Sequence, residues 1–382
     1  MPSSFGSALR VSVFGQSHSE AIGCVVEGLP SGLLVDMDAL GRLMARRAPG
    51  QGPWATPRKE ADLPRIVSGL NADGATCGAP LALVIENTNT RSGDYDELRR
   101  VPRPGHADLS AQLKWHGNQD VPGGGHFSGR LTAPLCAAGG IALQALATRG
   151  VRVRAHLAEV AGIRDEPFEA LDNSPDARAR LQRQMDRLEG RHGLPVIDDS
   201  AEGAMLAAID EARRGLDSVG GVVECVATGL PAGMGSPMFD GLENSIARAA
   251  FGIPAVKGIE FGRGFGAARL RGSEDNDPYR LEGGRPVPST NNAGGALGGL
   301  STGAAVLFRL AVKPTSSIGR PQDSVDLVSG EPARLGVRGR HDPCIAPRAV
   351  PVAEAVCALA LLDSWLAFPP EGAQFSLGEG RD

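Results

Sequence analysis

The chain has 382 residues, 44 acidic against 39 basic side chains and a formal charge of −5, with 42 % hydrophobic and 22 % charged residues. That length can bury a substantial core, and the composition excludes an intrinsically disordered chain. The mild acidic excess excludes a surface that is basic throughout, the footprint of a general nucleic-acid binder.

In chain order, residues 11–14 and 23–28 read as two strands joined by the loop Gly15-Gln-Ser-His-Ser-Glu20. Asp36 can cap a helix with Met37, Leu40, Leu43 and Met44 on its apolar face, ending in Arg46-Arg47-Ala-Pro-Gly50. Residues 80–86 form a short apolar strand. Residues 131–148 form an apolar helix closed by Gly150, interrupted by Pro134, Gly139, Gly140 and Gln144 and so read as a core helix, not a membrane span. Residues 151–158 alternate like a strand. Residues 164–215 are rich in Arg, Glu and Asp, with helical periodicity in 176–189 and 200–214, and read as a solvated excursion without special chemistry. Residues 219–228 and 304–312 return to strand character, 351–367 are helical, and the tail 369–382 is expected to be loose.

One internal echo runs through this order. Val26-Glu-Gly-Leu-Pro-Ser-Gly32 is answered by Ala227-Thr-Gly-Leu-Pro-Ala-Gly233, and the likeness continues through Asp38 and Asp240, Leu40 and Leu242, Arg46 and Arg248, to Gly50 and Gly252. A strand, a turn and a helix occur twice, which predicts two related halves packed into one sheet-and-helix body. The six cysteines form no C-x-x-C pair, and Met1-Pro-Ser-Ser-Phe-Gly6 lacks the features of a signal peptide. Reduced thiols in the cytoplasm are the expectation.

Five segments carry the chemistry. The first is the His18 loop. In the second, five basic groups and no acid fall between residues 42 and 59, including Arg46, Arg47 and Arg58, a pattern that suits an anionic ligand gripped by guanidinium groups. The third joins Arg103-Pro-Gly-His106-Ala-Asp108 to Gly123-Gly-Gly-His126-Phe-Ser128-Gly-Arg130 ahead of the apolar helix, where glycines let backbone N–H groups converge on an anion. His106, His116 and His126 recur every ten residues without an i,i+4 pair or a Cys partner, so no metal site is expected. The fourth is the Gly-rich run 290–303, able to pass close to a planar phosphorylated cofactor, followed by Lys313-Pro-Thr-Ser-Ser317. The fifth, Gly339-Arg340-His341-Asp342, is a candidate acid–base element. Together they suggest phosphate chemistry with histidine as an acid, and leave the reaction open.

The segments Phe14-Gly-Gln-Ser-His18, Arg46-Arg-Ala-Pro-Gly-Gln51, Arg103-Pro-Gly-His-Ala-Asp108, Gly123-Gly-Gly125, Asn291-Asn-Ala-Gly-Gly-Ala-Leu-Gly-Gly299, Lys313-Pro-Thr-Ser-Ser317 and Gly339-Arg-His-Asp-Pro-Cys344 resemble, in order over residues 10–365, the motifs of the chorismate synthase family. The resemblance implies an α+β fold, a β-α-β sandwich with two internally related halves (about 8–160 and 216–368) in a single domain spanning 1–368. It implies a cytoplasmic homotetramer acting on a small molecule, with neither nucleic acid nor membrane as partner. The implied reaction is the anti-1,4-elimination of phosphate from 5-enolpyruvylshikimate 3-phosphate to chorismate. It would use reduced FMN without net redox change, with NADPH as one source of reducing equivalents.

By match to the family, His18 would donate a proton near the substrate phosphate, His106 would protonate or hydrogen-bond the flavin, and Asp342 would act as base. Arg47 and Arg130 would hold the leaving phosphate, with Arg47 also toward NADPH. The FMN positions would be His126, Phe127, Ser128, Pro254, Ala255, Gly298, Lys313, Pro314, Thr315, Ser316, Ser317 and Arg340. The sequence departs from the commonest family form at Gln16, Ser19 and Pro53. It departs again in His126-Phe-Ser-Gly-Arg-Leu-Thr132, where an arginine is usual at the first place. A non-catalytic flavin- or anion-binding paralogue is the alternative.

Overall fold

The computed structural model describes residues 3–50, 52, 54–55, 62–88, 97–337 and 342–377. Among these residues the strands form two five-stranded antiparallel sheets and three two-stranded hairpins. The first sheet has the order β1-β2-β3-β5-β4, with β1 Ser4–Phe5, β2 Arg10–Gly15, β3 Ala21–Glu27, β4 Arg65–Ser68 and β5 Leu81–Glu86. The second has the order β7-β6-β8-β14-β9, with β6 Arg152–Val160, β7 Ile163–Arg164, β8 Gly221–Thr228, β9 Val256–Phe261 and β14 Val306–Val312. The hairpins are β10 Tyr279–Glu282 with β11 Arg285–Pro288, β12 Ala296–Leu297 with β13 Leu300–Ser301, and β15 Gln322–Val325 with β16 Pro332–Leu335.

The two sheets repeat one plan. In each, the strand before the Gly-Leu-Pro turn (β3, β8) lies at the centre, and the strand that leads toward the long apolar helix (β5, β14) pairs beside it. Helix α1, Met37–Arg47, follows β3 as α6, Leu242–Ala250, follows β8. The turn glycines adopt matching positive φ values, 82° at Gly28 and 85° at Gly229. The first half closes with α3, Thr132–Ala147, and the second with α8, Ala346–Ala367. These two helices are long and apolar enough to cross a bilayer, but they are buried between the sheets. A helix that is apolar on every side needs cover on every side, and a sheet above and a sheet below supply it. Gly139 brings the two helices together, since a Cβ there would meet the Ala355 Cβ at 2.4 Å.

Helix α8 starts before the expected residue 351, because Pro347 lies in its first turn, where proline is tolerated. Pro351 then stands inside the helix. The remaining helices are α2 Asp108–Trp115, α4 Pro175–Glu189, α5 Asp199–Arg214 and the single turn α7 Gly272–Asp275. The segment from Pro369, expected to be loose, is held over its described part: Trp365 Nε1 donates to the Ala373 carbonyl at 2.8 Å and Phe375 meets the Trp365 ring edge-on.

Residues 164–215, expected to be a solvated excursion, cover the outer face of the second sheet. Phe168, Leu181, Met185, Leu188 and Ile197 bury themselves against Val226 of β8 and Leu307 of β14. The cover is pinned by His156, fully buried on β6, whose Nδ1 lies 2.8 Å from Asp165 and Nε2 3.0 Å from Glu224. Burial opposes a charge on the imidazole, but hydrogen bonds to both carboxylates outweigh it and raise its pKa above the ordinary value. A group raised on folding stabilises fully below its unfolded pKa and loses that contribution as the pH rises through the folded one. In urea titrations the wild-type protein should therefore lose stability relative to His156→Gln above about pH 6.5, by up to ~1.4 kcal/mol per pH unit. Parallel pH dependence in the two proteins would contradict the charged pin.

Candidate active site

A cavity of about 410 Å³ opens where the loops of the two halves meet. Equivalent pieces of each half line it. From the ends of α1 and α6 come Arg47 with Pro49, and Ile253 with Pro254 and Ala255; from the entries of α3 and α8 come Ser128, Gly129, Arg130 and Thr132, and Asp342 with Arg348. Loops special to each half add Ser17, Arg103, His106 and Gly123 on one side and Lys313 to Ser317 on the other. The positive ends of the α3 and α8 dipoles point here, which favours an anion.

The lining carries Arg47, Arg103, Arg130, Lys313 and Arg348 against the single carboxylate of Asp342 among the described residues. Such a cluster needs counter-charges, and carboxylates behind the wall provide them. Arg47 donates through NH1 to Asp62, through Nε to Thr132 Oγ1 at 3.0 Å and through NH2 to the Gly129 carbonyl at 2.9 Å. Arg130 donates to the other oxygen of Asp62 and, through Nε, to Asn87 at 2.7 Å. Burial works to raise the Asp62 carboxyl, but Arg47 and Arg130 prevail and hold it below its ordinary pKa. Burial, with Arg348 close by, brings Arg47 down to about 10, so it stays charged at neutral pH. Arg348 donates to Asp342 at 2.5 Å and to the Arg47 carbonyl at 3.1 Å. Burial and the neighbouring Lys257 lower the Lys313 amine.

The glycine loop forms the floor. Gly123, Gly124 and Gly125 have φ values of 63°, 85° and 53°, where a side chain is strained. A Cβ on Gly123 would strike Ser17 Oγ and the His18 ring, and one on Gly124 would come within 3.1 Å of His106 Nε2. Two histidine rings thus lie against bare backbone. Cys344, beside Asp342 in sequence, is a buried thiol pushed up to about 12 by desolvation and offers no thiolate.

The apolar part of the lining is Ile253, Pro254, Ala255, Ile345, Ala349 and Val352. Thr315 Oγ1, at the cavity edge, is a buried hydroxyl without a hydrogen-bond partner among the described residues. Cations, an apolar surface and a buried hydroxyl in one lining fit a ligand that joins a flat ring to phosphate, as FMN does.

The family model of chorismate synthase matches residues 9–366. The chain belongs to the chorismate synthase family. A chorismate synthase from Lancefieldella parvula is 50 % identical over 373 residues, 97 % of this chain and 98 % of that one. Those of Korarchaeum cryptofilum and Methanosarcina acetivorans are 45 % and 44 % identical, over 94 % and 95 % of this chain and 96 % and 95 % of theirs. A crystal structure of chorismate synthase shares the fold with a TM-score of 0.73 at 24 % identity, covering 97 % of this chain and 95 % of that one.

Of the positions matched to this family by sequence, Arg47, His106, Ser128, Arg130, Pro254, Ala255, Lys313, Pro314, Thr315, Ser316, Ser317 and Asp342 line the cavity. His18 sits against the Gly123 floor. His126 is exposed and turned away: its Nδ1 donates to the Gly15 carbonyl at 2.7 Å and its Nε2 lies 2.6 Å from Ser3 Oγ, so it ties the glycine loop to β2. Phe127 packs against Trp115 with ring centroids 5.7 Å apart. Gly298 turns the β12–β13 hairpin, and neither it nor Phe127 lines the cavity. Arg340 lies outside the described residues, as do Gln51 and Pro53.

Sequence reasoning gave no role to Ser17, Asp62, Arg103, Asp108 or Arg348. Arg103 and Asp108 stand in the third flagged segment and Ser17 in the first, the His18 loop, whereas Asp62 and Arg348 lie a few residues past the second and fifth, so the signal was position in or next to a motif. Replacing Asp62 by Asn leaves two buried guanidiniums without their shared carboxylate. The expected cost is about 3–5 kcal/mol near neutral pH, read from urea unfolding. Because the Asp62 pKa is lowered on folding, the wild-type advantage should fade as the pH falls through its folded value. An advantage that persisted undiminished in acid would count against this pairing.

Proposed function

We propose that the chain catalyses loss of phosphate from 5-enolpyruvylshikimate 3-phosphate by anti-1,4-elimination, forming chorismate, with reduced FMN in the same cavity. It would thus be a carbon–oxygen lyase acting on a phosphate. The observation that carries this reading is that Arg47, His106, Arg130, Lys313 and Asp342, drawn from five separate stretches of sequence, line one cavity.

When bound, reduced FMN supplies transient electron donation with no net redox change. Pro254 and Ala255, with Lys313 to Ser317 beside them, are the residues that would hold it. Guanidinium groups pre-arranged by internal carboxylates meet the charge on a departing phosphate without reorganising, which is how fixed electrostatics lowers a barrier. The work of Arg47 and Arg130 is therefore stabilisation of the leaving group. His18 would deliver a proton to the phosphate side, and His106 would hold a proton at Nε2, over Gly124. Asp342, fixed by Arg348, would take up the proton lost from the substrate ring. Each proton-handling role is typically worth ~10²–10⁴ in rate.

The reductant is taken to come from elsewhere, because Pro53 stands about where some members of the family carry a second arginine toward NADPH. A cytoplasmic homotetramer is the accompanying expectation. Its support is the outer face of the first sheet, where Phe14 and Val67 stand 42 % and 48 % exposed while the matching face of the second sheet is covered.

Incubated anaerobically with 5-enolpyruvylshikimate 3-phosphate and dithionite-reduced FMN, the protein should form chorismate, followed by absorbance. His106→Ala should reduce turnover ~10²-fold or more. Tight flavin binding without phosphate release would sink the proposal and favour a non-catalytic paralogue. Turnover with NADPH and oxidised FMN alone would instead show that the chain reduces its own flavin.

A further inference from the structure

We propose that Asp108 is a positioning residue that keeps the His106 proton on Nδ1, so that Nε2 alone exchanges protons with the contents of the cavity. The inference deepens the reading of His106 given above and rests on it for its catalytic consequence, though not for the tautomer itself.

The argument starts from two neighbours of one nitrogen. His106 Nδ1 lies 2.5 Å from Asp108 Oδ1 and 3.1 Å from the NH2 of Arg103. Their demands are opposite. A guanidinium can only donate, so Arg103 asks Nδ1 to carry a lone pair; an ionised carboxylate can only accept, so Asp108 asks it to carry a proton. Two lone pairs facing each other at 2.5 Å would repel, whereas N–H donating to carboxylate at that separation is a short, charge-assisted bond. Asp108 therefore decides the tautomer, provided that it remains ionised.

Its surroundings keep it so. Arg103 grips the carboxylate with both arms, Nε to Oδ2 at 2.7 Å and NH2 to Oδ1 at 2.8 Å, and the Arg103 backbone N–H adds a third bond at 3.1 Å. Burial opposes the charge, but these bonds and the one to His106 outweigh it and hold the carboxyl well below the usual carboxylate range. Arg103 also reaches Ser317 Oγ at 3.1 Å, in the loop of the other half. The group that orients His106 is thereby anchored across the cavity.

With Nδ1 committed, Nε2 is the ring atom left to exchange a proton, and it is the one that lies over Gly124. Protonation there gives an imidazolium with Asp108 as counter-ion. Loss of that proton returns the Nδ1–H neutral ring, and Asp108 carries no proton in either state. Without the carboxylate, Arg103 NH2 would be free to donate to Nδ1, and the neutral ring would shift toward the Nε2–H form. An acceptor facing the cavity would then become a donor.

The test reads the tautomer directly, in the ligand-free full chain. In protein labelled with 15N-histidine, the His106 signals, identified by their absence in His106→Ala, should show at alkaline pH a protonated Nδ1 and an unprotonated Nε2. The reverse pattern in the wild-type protein would overturn the proposal without recourse to any variant. In folded Asp108→Asn the neutral ring should move measurably toward Nε2–H, and kcat should fall on the order of 10²-fold with KM for the substrate changed less than about threefold. An unchanged tautomer in that variant would also overturn it. If the wild-type tautomer is as proposed but His106→Ala retains full activity, the catalytic reading of His106 fails while the role of Asp108 in holding the tautomer stands.

Discussion

Two helices that are apolar on every side must be hidden from water, and the architecture follows from that constraint. Cover on one side would leave half of α3 or α8 exposed, so each helix lies beneath its own sheet and against the other helix. Small residues at the contact, Gly139 against Ala355, let the backbones approach closely enough for dense packing. The pairing of like with like brings the halves together with equivalent loops facing each other. The cavity is a consequence of this packing, because the ends of α1 and α6 and the entries of α3 and α8 converge at one place.

The same construction handles charge. Five cationic side chains around a small cavity would repel one another strongly, and burial makes the repulsion worse. Each guanidinium is instead paired with a carboxylate of the chain: Arg47 and Arg130 with Asp62, Arg103 with Asp108, and Arg348 with Asp342. Hydrogen bonds through the remaining donors hold the forks in place, so the electrostatic field is set before a ligand arrives. Arg46, adjacent to Arg47, turns the other way and closes a bidentate pair with the buried Glu354 of α8. One residue of this doublet serves the packing of the halves and the next serves the cavity.

The outer faces show how differently the related halves are finished. Residues 164–215 lay an apolar cluster on the second sheet and fasten it through His156, whereas nothing described lies on the same face of the first sheet. Polar residues rich in Arg, Glu and Asp on the solvent side of α4 and α5 concealed this in the sequence. Their buried side chains are few, and periodicity alone does not reveal what they are packed against.

Much of the fold was legible in the chain itself. The alternation of β6, the strand character of β3 and β8, the apolar run of α3 and the repeated Gly-Leu-Pro turn are local patterns dictated by strand and helix geometry. The motif order identified the family, because residue types at fixed spacing carry that information without reference to contacts. Only the tertiary structure decided which motif residues face one another. His126, expected among the flavin positions, binds Gly15 and Ser3 and is not part of the described cavity lining. In the Gly- and Asn-rich run at 290–303, Asn291 spends its amide on the carbonyls of Ala170 and Ala305. Asp62 and Asp108 were given no role of their own, and they hold the charges in place. A side chain's chemistry is written in the sequence, but its partner is set by contacts between distant segments, and those exist only once the two halves have closed on their helices.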